Sequence, residues 1–576
     1  MKKITYKKFP STKTEGIISK GWDNIIEIIR DNVSGDAIIA VDTYVGVNSE
    51  EIKNALMSLN PVLFCSMNEL FKSEKEIEAL TTPILTNDCL FGHRSYLSIQ
   101  DYFDRDKTEK ARNEILGTKG LKIIFGTGAA ILCEKANVTI YIDMARWEIL
   151  QRFRRNEVNG LGVKNQHEPY CFQYKRGYFN DWIICDKHKR NIFSKIDFWI
   201  DTHIPCQPKM ISNDVFVKGI ENTIKTPFRV VPFFDPAPWG GQWMKNVCGL
   251  DEKVSNFGWC FDCVPEENSL LFNVGNEIFE LPSNNLVFLK SKELLGEAVE
   301  GRFGKEFPIR FDFLDTYDGG NLSLQVHPTT QYIRDTFGMS YTQDESYYLM
   351  DAEDNGIVYL GVKENVDREA MINDLQKAEK GGIAFDTEKY INKFPAKKHD
   401  HFLIPGGTIH CSGKNSMVLE ISATPNIFTF KLWDWGRLGL DGKPRPINID
   451  HGKNVINWSC DTNYTKEHLI NKVEIIEDGD GWREEKTGLH QAEFIETRRH
   501  WFEKKVLHRT NGSVNVLNLI EGEEITIESP SNSFDPFVVH YAETFIIPAS
   551  IIEYTIRPSG NSEGKKCGTI KAYVRF

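Results

Sequence analysis

The 576-residue sequence contains no long apolar run and no excess of positive charge. No stretch approaches the roughly 20 consecutive apolar residues that a membrane-spanning helix needs. The lysine-containing start "MKKITYKKFP" is not followed by the apolar segment of a signal peptide. A formal net charge of −12 argues against a nucleic-acid binder, because neutralising phosphates requires a positive surface. We therefore expect a cytoplasmic protein without a membrane or nucleic-acid partner.

The twelve cysteines are scattered through the chain rather than concentrated in one segment. This distribution favours reduced thiols over a disulfide framework or a cysteine-rich zinc site. With 41% hydrophobic residues the composition is that of a globular protein. The length predicts about three or four domains, because a single core rarely extends over so long a chain.

Two changes in sequence pattern divide the chain into three predicted domains. Residues 1–226 mix helix and strand signals, which is typical of a three-layer α/β domain. Residues 227–464 carry short strand patterns separated by Gly, Pro and Asn turns, as in an all-β sandwich or barrel, with a helical insertion at 365–381. Residues 465–576 return to alternating apolar and polar positions, which predicts a second, smaller β-barrel.

The first domain contains a well-defined strand–loop–helix pattern in "DAIIAVDTYVGVNSEEIKNAL". The apolar residues 37–41 predict a buried strand, which a loop connects to an amphipathic helix. Asn48 and Glu51 are placed to form a capping box at the start of that helix.

The stretch "NLSLQVHPTT" places an amide and an imidazole two residues apart in a strand-like run. Side chains alternate along a strand, so Gln325 and His327 point to the same side. Downstream, Glu345 lies in the strand-like "DESYYLMDA", and His410 follows the Pro-Gly-Gly turn of "IPGGTIH". Two imidazoles, one carboxylate and one amide oxygen could bind one divalent metal, with Zn²⁺ leading and Fe²⁺ or Mn²⁺ as alternatives. The competing interpretation is four unrelated polar residues in three strands.

Several ordered motifs resemble those of one enzyme family. They are "PAPWGGQWM", "FPIRFDFLDTYDGGNLSLQVHP", "DESYYLMDAE", "IPGGTIHCSG", "VLEIS" and "KLWDWGRLGLDGKPRPINI". In this order they are similar to the class I mannose-6-phosphate isomerases, which are metal-dependent enzymes of the cupin (jelly-roll) fold. The resemblance covers about residues 232–456 and extends weakly into a second, cupin-like barrel. It implies that Arg437 is the active-site arginine and that the metal ligands are Gln325, His327, Glu345 and His410.

The resemblance implies an aldose–ketose isomerase that interconverts mannose 6-phosphate and fructose 6-phosphate, or a related sugar, through an enediol intermediate. A bound metal would offset charge that develops on the carbonyl oxygen. Arg437, oriented by Asp434, would add fixed positive charge near the enediolate. Lys431 and Arg445 lie close by in sequence and are candidates for phosphate contacts. For these cations the competing interpretation is ordinary surface charge.

Two positions depart from the family pattern. The family usually carries a lysine two residues before the metal-binding glutamate and another in its "FPLLxK" segment, where this sequence has Gln343 and Asp312. A glutamine cannot act as a general base, although Gln343 could still contact substrate, and an aspartate would repel a phosphate. Glu420 and His401 are candidate substitute bases. A buried strand carboxylate and a turn imidazole explain these two residues equally well.

The N-terminal domain resembles nucleoside-kinase-like proteins in "VDTYVGVNSEE" and "YIDMARWEILQRFRR". The GxxxxGK[ST] motif is absent, so no lysine is placed to reach nucleotide phosphates. We therefore expect a degenerate P-loop-kinase-like domain that serves docking or ligand sensing. Asp42, Asp88 and Arg94 are its candidate functional residues, and the helix start at Asn48 could bind an anion.

Three functions remain open from the sequence. The first is a metal-dependent isomerase acting on a small-molecule sugar or sugar phosphate, with a homo-oligomer as an option. The second is a sugar-sensing or regulatory cupin protein that binds metal and ligand without turnover. The third is a bifunctional protein with residual N-terminal phosphotransferase activity. The retained metal ligands and Arg437 favour the first function, the replaced lysines favour the second, and the missing P-loop lysine argues against the third.

Overall fold

The structure is a computed structural model that describes residues 4–133, 135–488 and 493–575. The chain forms two compact units. The α/β unit comprises Ser11–Thr223 and Glu266–Phe288, and the β unit comprises the residues up to Pro10, Ile224–Pro265 and the chain from Leu289 onward. The boundaries after residues 226 and 464 stay a prediction. Among the described residues, no helix combines the length and the apolar content needed to cross a membrane.

A seven-stranded sheet forms the centre of the α/β unit. Five adjacent strands are parallel, and two short strands extend one edge in antiparallel pairings. Every residue of the strand Val138–Asp143 is buried, which explains its nearly continuous apolar sequence. In order across the sheet, the strands are Ser19–Lys20, Lys209–Ser212, Phe198–Asp201, Val138–Asp143, Ile38–Thr43, Lys122–Phe125 and Leu63–Ser66.

The segment Glu266–Phe288 returns to the α/β unit and adds a small three-stranded sheet, in the order Thr12–Thr14, Ser269–Val274 and Glu277–Pro282. The α-helices of the unit are Trp22–Asp31, Ser49–Met57, Met67–Leu70, Glu74–Leu85, Arg105–Gly117, Ala129–Leu132, Arg146–Arg154, Tyr170–Arg176, Trp182–Ile192, Asn213–Ile224 and Asn284–Leu289. Shorter helical turns are Ile99–Tyr102, Gly177–Asp181 and Phe193–Lys195.

The predicted strand–loop–helix is confirmed as the strand Ile38–Thr43 and the helix Ser49–Met57. Asn48 caps the helix, because its side-chain oxygen accepts the Glu51 N–H at 3.3 Å. The Glu51 carboxylate accepts the Trp22 indole N–H at 2.9 Å rather than returning to Asn48. The structure therefore shows one half of the predicted capping box.

The first part of the β unit consists of two sheets. We call this first part the central barrel. Glu345 on the six-stranded sheet lies 2.9 Å from His410 on the five-stranded sheet, so the two sheets face a common interior. The six strands are, in order, His401–Ile404, Glu345–Ala352, Ser416–Ala423, Ile309–Asp315, Trp259–Cys263 and Phe233–Asp235. The five strands are Ile391–Pro395, Ile357–Val362, His410–Ser412, Leu324–Val326 and Phe430–Trp433.

The predicted helical insertion is confirmed as the helix Arg368–Glu379, which Asp367 caps by accepting the Ala370 N–H. Other α-helices around the central barrel are Trp243–Cys248, Ser291–Leu295, Glu297–Phe303, Thr330–Phe337, Thr387–Tyr390, Ile449–Gly452 and Thr462–Tyr464, which continues into the turn Thr465–Leu469.

The second part of the β unit is the C-terminal barrel, which also has two sheets. Its six strands are Glu474–Gly479, Trp482–Gly488, Ile495–Phe502, Cys567–Val574, Asn515–Glu521 and Thr544–Ile547. Its four strands are Val506–Arg509, Glu553–Pro558, Glu524–Glu528 and Phe537–His540, and a short turn spans Gly560–Ser562. Its hydrophobic core includes Phe502, Leu519, Ile527 and Phe545. The predicted second β element is therefore confirmed.

All twelve cysteines are free thiols. They include Cys260 and Cys263, a pair with C-x-x-C spacing on one strand. The expectation of reduced thiols agrees with this arrangement.

Candidate metal centre

Four side chains predicted as metal ligands meet inside the central barrel. Glu345 lies between the two imidazoles, with Oε2 3.1 Å from His327 Nε2 and Oε1 2.9 Å from His410 Nε2. The Gln325 amide approaches His410 Nε2 at 3.2 Å. Among the described residues, His327, Glu345 and His410 form the one cluster of three such donors close enough to share an ion.

Strand pairing explains why these residues converge. Gln325 is the direct cross-strand partner of His410, so their side chains lie on one face of the five-stranded sheet. His327 follows the same strand two residues later and keeps that orientation. Glu345 begins a strand of the opposite sheet.

Backbone carbonyls hold both imidazoles in one orientation. His327 Nδ1 lies 3.1 Å from the Phe428 carbonyl oxygen, and His410 Nδ1 lies 2.9 Å from that of Thr408. Each Nδ1 can therefore donate its proton to a carbonyl, which leaves the lone pair of Nε2 facing Glu345. Metal-binding histidines are typically fixed by such a second hydrogen bond.

The donor atoms of this centre suit a bound cation better than they suit one another. His327 Nε2 and Glu345 Oε1 are fully buried, and with both ring protons on Nδ1 no proton lies between them and their neighbours at 2.9–3.1 Å. Burial opposes the charge of His327, but the Glu345 carboxylate raises the pKa of this imidazole above its usual value. Burial alone would raise the pKa of Glu345, but the two imidazoles lower it. A buried carboxylate with converging nitrogen lone pairs fits a divalent ion.

The Gln325 amide can contribute its oxygen to the same centre. Its nitrogen faces His410, while its oxygen accepts the Ser323 hydroxyl at 3.1 Å. A half-turn of the amide exchanges the positions of its oxygen and its nitrogen. The Ser323 hydroxyl can donate or accept, so it can bond to the amide in either orientation.

Three cations surround Asp434 beside the metal centre. Arg437 binds one carboxylate oxygen through Nε at 3.0 Å and Nη2 at 2.6 Å. Arg445 Nη1 lies 3.1 Å from the other oxygen. Lys431 is close enough for both guanidinium charges to act on it. One aspartate cannot neutralise both guanidinium groups, so these three basic residues, which we call the cation wall, carry an excess of positive charge.

Lys431 lies on the same sheet face as the metal ligands. It is the cross-strand partner of Gln325, next to an irregularity in the pairing between Leu324 and Gln325. Burial lowers the pKa of Lys431 to about 7, and the neighbouring charge of Arg445 lowers it in the same direction.

The residues at the two replaced lysine positions also lie in this interior. The Gln343 amide nitrogen donates to Glu345 Oε2 and to Glu420 Oε1, both at 3.2 Å. Asp312 is the cross-strand partner of Glu420. Burial raises the pKa of Glu420 well above its usual range, and the negative charges of Glu345 and Asp312 raise it further. Glu420 therefore favours its protonated form more strongly than an ordinary glutamate does.

Sequence reasoning missed three polar residues that face the same interior. Arg310 precedes Asp312 by two residues on one strand and lies 3.2 Å from its carboxylate. The Tyr347 hydroxyl and the Ser422 hydroxyl are fully buried without a hydrogen-bond partner in the described chain. Arg310 and Asp312 are two residues apart on one strand, and this spacing in the sequence could have identified Arg310 as an inward-facing residue.

His401 does not join the centre. It pairs with Tyr348, whereas Tyr347 pairs with Glu420, so His401 and Glu420 point to opposite faces of the sheet. Burial lowers the pKa of His401 to about 3, with a smaller contribution from Arg499. A neutral imidazole on the outer face cannot reach a substrate in the barrel.

The candidate residues of the α/β unit have structural partners. The Asp42 carboxylate accepts the N–H groups of Gly128 and Ala130 at 3.1 and 2.8 Å, and it lies 2.8 Å from His188 Nε2. Asp88 accepts two backbone N–H groups in a turn, and Arg94 is exposed. Asp42 thus serves as a structural acceptor that links its strand to the 128–130 segment.

Comparisons with known proteins give one family model and several individual relatives. Residues 21–225 match a family described as a domain of unknown function, DUF8485. A mannose-6-phosphate isomerase of Streptococcus mutans is 26% identical over 235 residues, which is 40% of this chain and 68% of the relative. A probable mannose-6-phosphate isomerase of Bacillus subtilis is 26% identical over 230 residues, with the same coverage. The solved mannose 6-phosphate isomerase of Bacillus subtilis superposes with a TM-score of 0.48 at 18% identity, covering 61% of this chain and all of that one.

Proposed function

We propose that the β unit is a metal-dependent aldose–ketose isomerase whose substrate is mannose 6-phosphate, fructose 6-phosphate or a related sugar phosphate. The observation that carries the proposal is the convergence of His327, Glu345 and His410, with unpartnered buried donor atoms, beside an excess of positive charge. Relatives that are named mannose-6-phosphate isomerases support it.

The four converging side chains would hold the divalent ion, with zinc suited to two imidazoles, a carboxylate and an amide oxygen. When bound, such an ion supplies Lewis acidity that polarises a sugar carbonyl. The carbonyl oxygens of Phe428 and Thr408 keep both imidazoles in the required tautomer.

The cation wall would bind the phosphoryl group. Asp434 fixes the Arg437 guanidinium through two hydrogen bonds, so its remaining donors are oriented before substrate arrives. Arg445 and Lys431 add charge on the same wall. Arginine suits this role because its planar fork matches phosphate oxygens.

Proton transfer would use Glu420 in place of the replaced lysine. The pKa of its buried carboxyl is raised well above the usual range, and the carboxyl accepts a hydrogen bond from the Gln343 amide. A protonated carboxyl can donate to a substrate oxygen, and the resulting carboxylate can take a proton from carbon. In Glu420→Gln protein we expect sugar-phosphate binding to persist and turnover to fall by about 100-fold or more.

The second candidate is a sugar sensor that binds metal and ligand without turnover. The replacement of two family lysines by Gln343 and Asp312 favours it, because neither residue supplies an ammonium group. A sensor would bind sugar phosphate equally well with Glu420 or with glutamine at position 420, and it would show no conversion in either form.

A coupled assay with mannose 6-phosphate, with and without a chelator, tests the proposal. We expect conversion that stops on chelation and returns with zinc. His410→Ala should lose both metal and conversion, whereas His468→Ala, a change at an exposed histidine, should keep both. Absence of conversion of any hexose phosphate by fully metal-loaded protein would refute the isomerase and leave the sensor.

The kinase-like character of the α/β unit stays a prediction. Titration of the protein with ATP tests it directly. Because the lysine of the GxxxxGK[ST] motif is absent, we expect no nucleotide-triphosphate binding by this unit. Micromolar ATP binding would restore the nucleotide-binding interpretation.

A further inference from the structure

A second concave surface lies within the β unit, between the central barrel and the C-terminal barrel. It is a cleft of about 400 Å³, which is within the roughly 300–1,000 Å³ that is typical of small-molecule sites. The central barrel contributes Asp351 and Lys398 to its lining, and the C-terminal barrel contributes the turn 521–523. The lining shares no residue with the candidate metal centre or the cation wall. The cleft is therefore a separate place for a ligand.

The charges of this lining balance. Its six charged residues are three lysines and three acidic residues: Lys398, Lys565, Lys566, Asp351, Glu521 and Glu523. A cleft concentrates ions when its walls carry one sign of charge, and this lining carries no net charge. The balance favours an uncharged ligand, in contrast to the cation wall of the central barrel.

The two carboxylates of the turn 521–523 keep acceptor atoms for a ligand. Glu521 binds Lys398 Nζ at 2.6 Å and lies 3.2 Å from His399 Nε2, and both contacts use Oε2. Glu523 accepts the Asn561 amide N–H at 3.1 Å, also through Oε2. Among the described residues, no donor binds Oε1 of either carboxylate. Each carboxylate therefore has one oxygen available.

Two donors complement these acceptors. Lys565 is exposed, and its ammonium group has no carboxylate partner in the described chain. Burial raises the pKa of the half-buried Tyr541, and the charges of Asp351 and Glu521 raise it further. The Tyr541 hydroxyl therefore keeps its proton and can donate it in a hydrogen bond.

Two aromatic rings belong to the same lining. The rings of Trp243 and Tyr541 have centroids 6.0 Å apart, with an angle of 56° between their planes. The Asp351 carboxylate accepts the Trp243 indole N–H at 3.0 Å, which fixes the indole. Aromatic rings supply apolar contact area, so the lining offers apolar surface beside its donors and acceptors.

We propose that this cleft is a second binding site, which takes an uncharged mono- or disaccharide. Each sugar hydroxyl can both donate and accept, so neighbouring hydroxyls can bind Oε1 of Glu521 and Glu523 and the Lys565 ammonium group together. The C–H faces of a sugar ring are apolar and suit the aromatic rings. An apolar ligand would remove water from the charged groups without replacing its hydrogen bonds. The proposal does not depend on the function of the central barrel.

Calorimetric titration of the full-length, metal-loaded protein with four uncharged disaccharides tests the site: mannobiose, maltose, lactose and sucrose. We expect at least one of them to bind, with one molecule per chain. Glu523→Gln keeps the shape of the side chain and an oxygen for Asn561, and it should weaken binding by about 10-fold, because a charge-assisted hydrogen bond becomes a neutral one. Lys565→Met should weaken binding by about 10-fold or more, because it removes a charged donor. Glu563→Gln, at an exposed position outside the lining, is the matched control and should bind as the wild type does.

A chelator arm separates this cleft from the central barrel. Sugar binding that persists in chelator-treated protein and falls in Glu523→Gln and Lys565→Met would support the cleft. Binding that is lost on chelation and is unchanged in both variants would belong to the metal centre and would overturn the proposal. Absence of binding of all four disaccharides to the wild type would overturn it equally. None of these outcomes decides whether sugar phosphates are isomerised, so the two proposals fail independently.

Discussion

Replacing Glu345 by glutamine is the sharpest perturbation of the candidate metal centre. Glu345 supplies the one negative charge among the four donors and lies 3.1 and 2.9 Å from the two imidazoles. Glutamine keeps the shape and removes the charge. Because loss of a residue that merely orients a ligand already costs about 10- to 100-fold in metal affinity, we expect at least about 100-fold from loss of a charged ligand.

The expected effect on stability follows from mass action. With free zinc at about 100 times the dissociation constant, binding stabilises the wild type by about 2.7 kcal/mol. After a 100-fold loss of affinity, the same zinc concentration stabilises the variant by about 0.4 kcal/mol. The difference of about 2.3 kcal/mol corresponds to roughly 3 °C in thermal midpoint, because an unfolding entropy of about 2.1 cal/mol/K per residue over the roughly 340 residues of the β unit gives about 1.4 °C per kcal/mol.

The assay compares the thermal midpoint with zinc and with a chelator in each protein, so that differences in metal-free stability cancel. Metal content after gel filtration is measured in parallel. Glu369→Gln, at an exposed position of the helix Arg368–Glu379, is the control and should behave as the wild type. A wild-type zinc shift and stoichiometric zinc in Glu345→Gln would refute the ligand assignment.

Three further predictions concern charges elsewhere in the chain. Arg437→Lys should lower kcat/KM for sugar phosphate by about 10- to 100-fold, because lysine cannot keep the paired bonds to Asp434; unchanged steady-state kinetics would contradict this role. Burial lowers the pKa of Lys431 to about 7, so its charge is present below that pH and is lost above it. KM should therefore rise as pH increases through about 7, and a KM–pH profile with the same rise in Lys431→Met would contradict the assignment. Asp42→Ala should destabilise the α/β unit by about 3–5 kcal/mol, because two backbone N–H groups and His188 lose a buried charged partner; urea unfolding curves matching the wild type would contradict this estimate.

The candidate metal centre was the part of the protein most accessible from sequence. Alternation along a strand placed Gln325 and His327 on one side, and the order of the motifs suggested the other two ligands. Neither argument could say that Glu345 comes from the opposite sheet. That arrangement depends on how the strands are ordered across two sheets, which is a property of the whole barrel.

The inward position of Lys431 could not be predicted for a different reason. Its strand pairs with Leu324–Val326 across an irregularity, and a shift of one residue would turn Phe430 or Leu432 toward Gln325 instead. Register near an irregularity is set by packing of the surrounding barrel and not by the local sequence. The same limit applies to Asp42, whose backbone partners lie 86 and 88 residues away and reach it through parallel pairing of two strands.

The two replaced lysines are weaker evidence against catalysis than the sequence suggested. Asp312 does not stand alone as a negative charge, because Arg310 lies on the same inward face and pairs with it at 3.2 Å. Gln343 does not leave a carboxylate unpartnered, because it donates to both Glu345 and Glu420. The interior therefore keeps a cation near the first position and a buried carboxyl of raised pKa near the second. An isomerase needs fixed positive charge and a group that exchanges a proton. Each of these can be supplied by residues on different strands of the barrel.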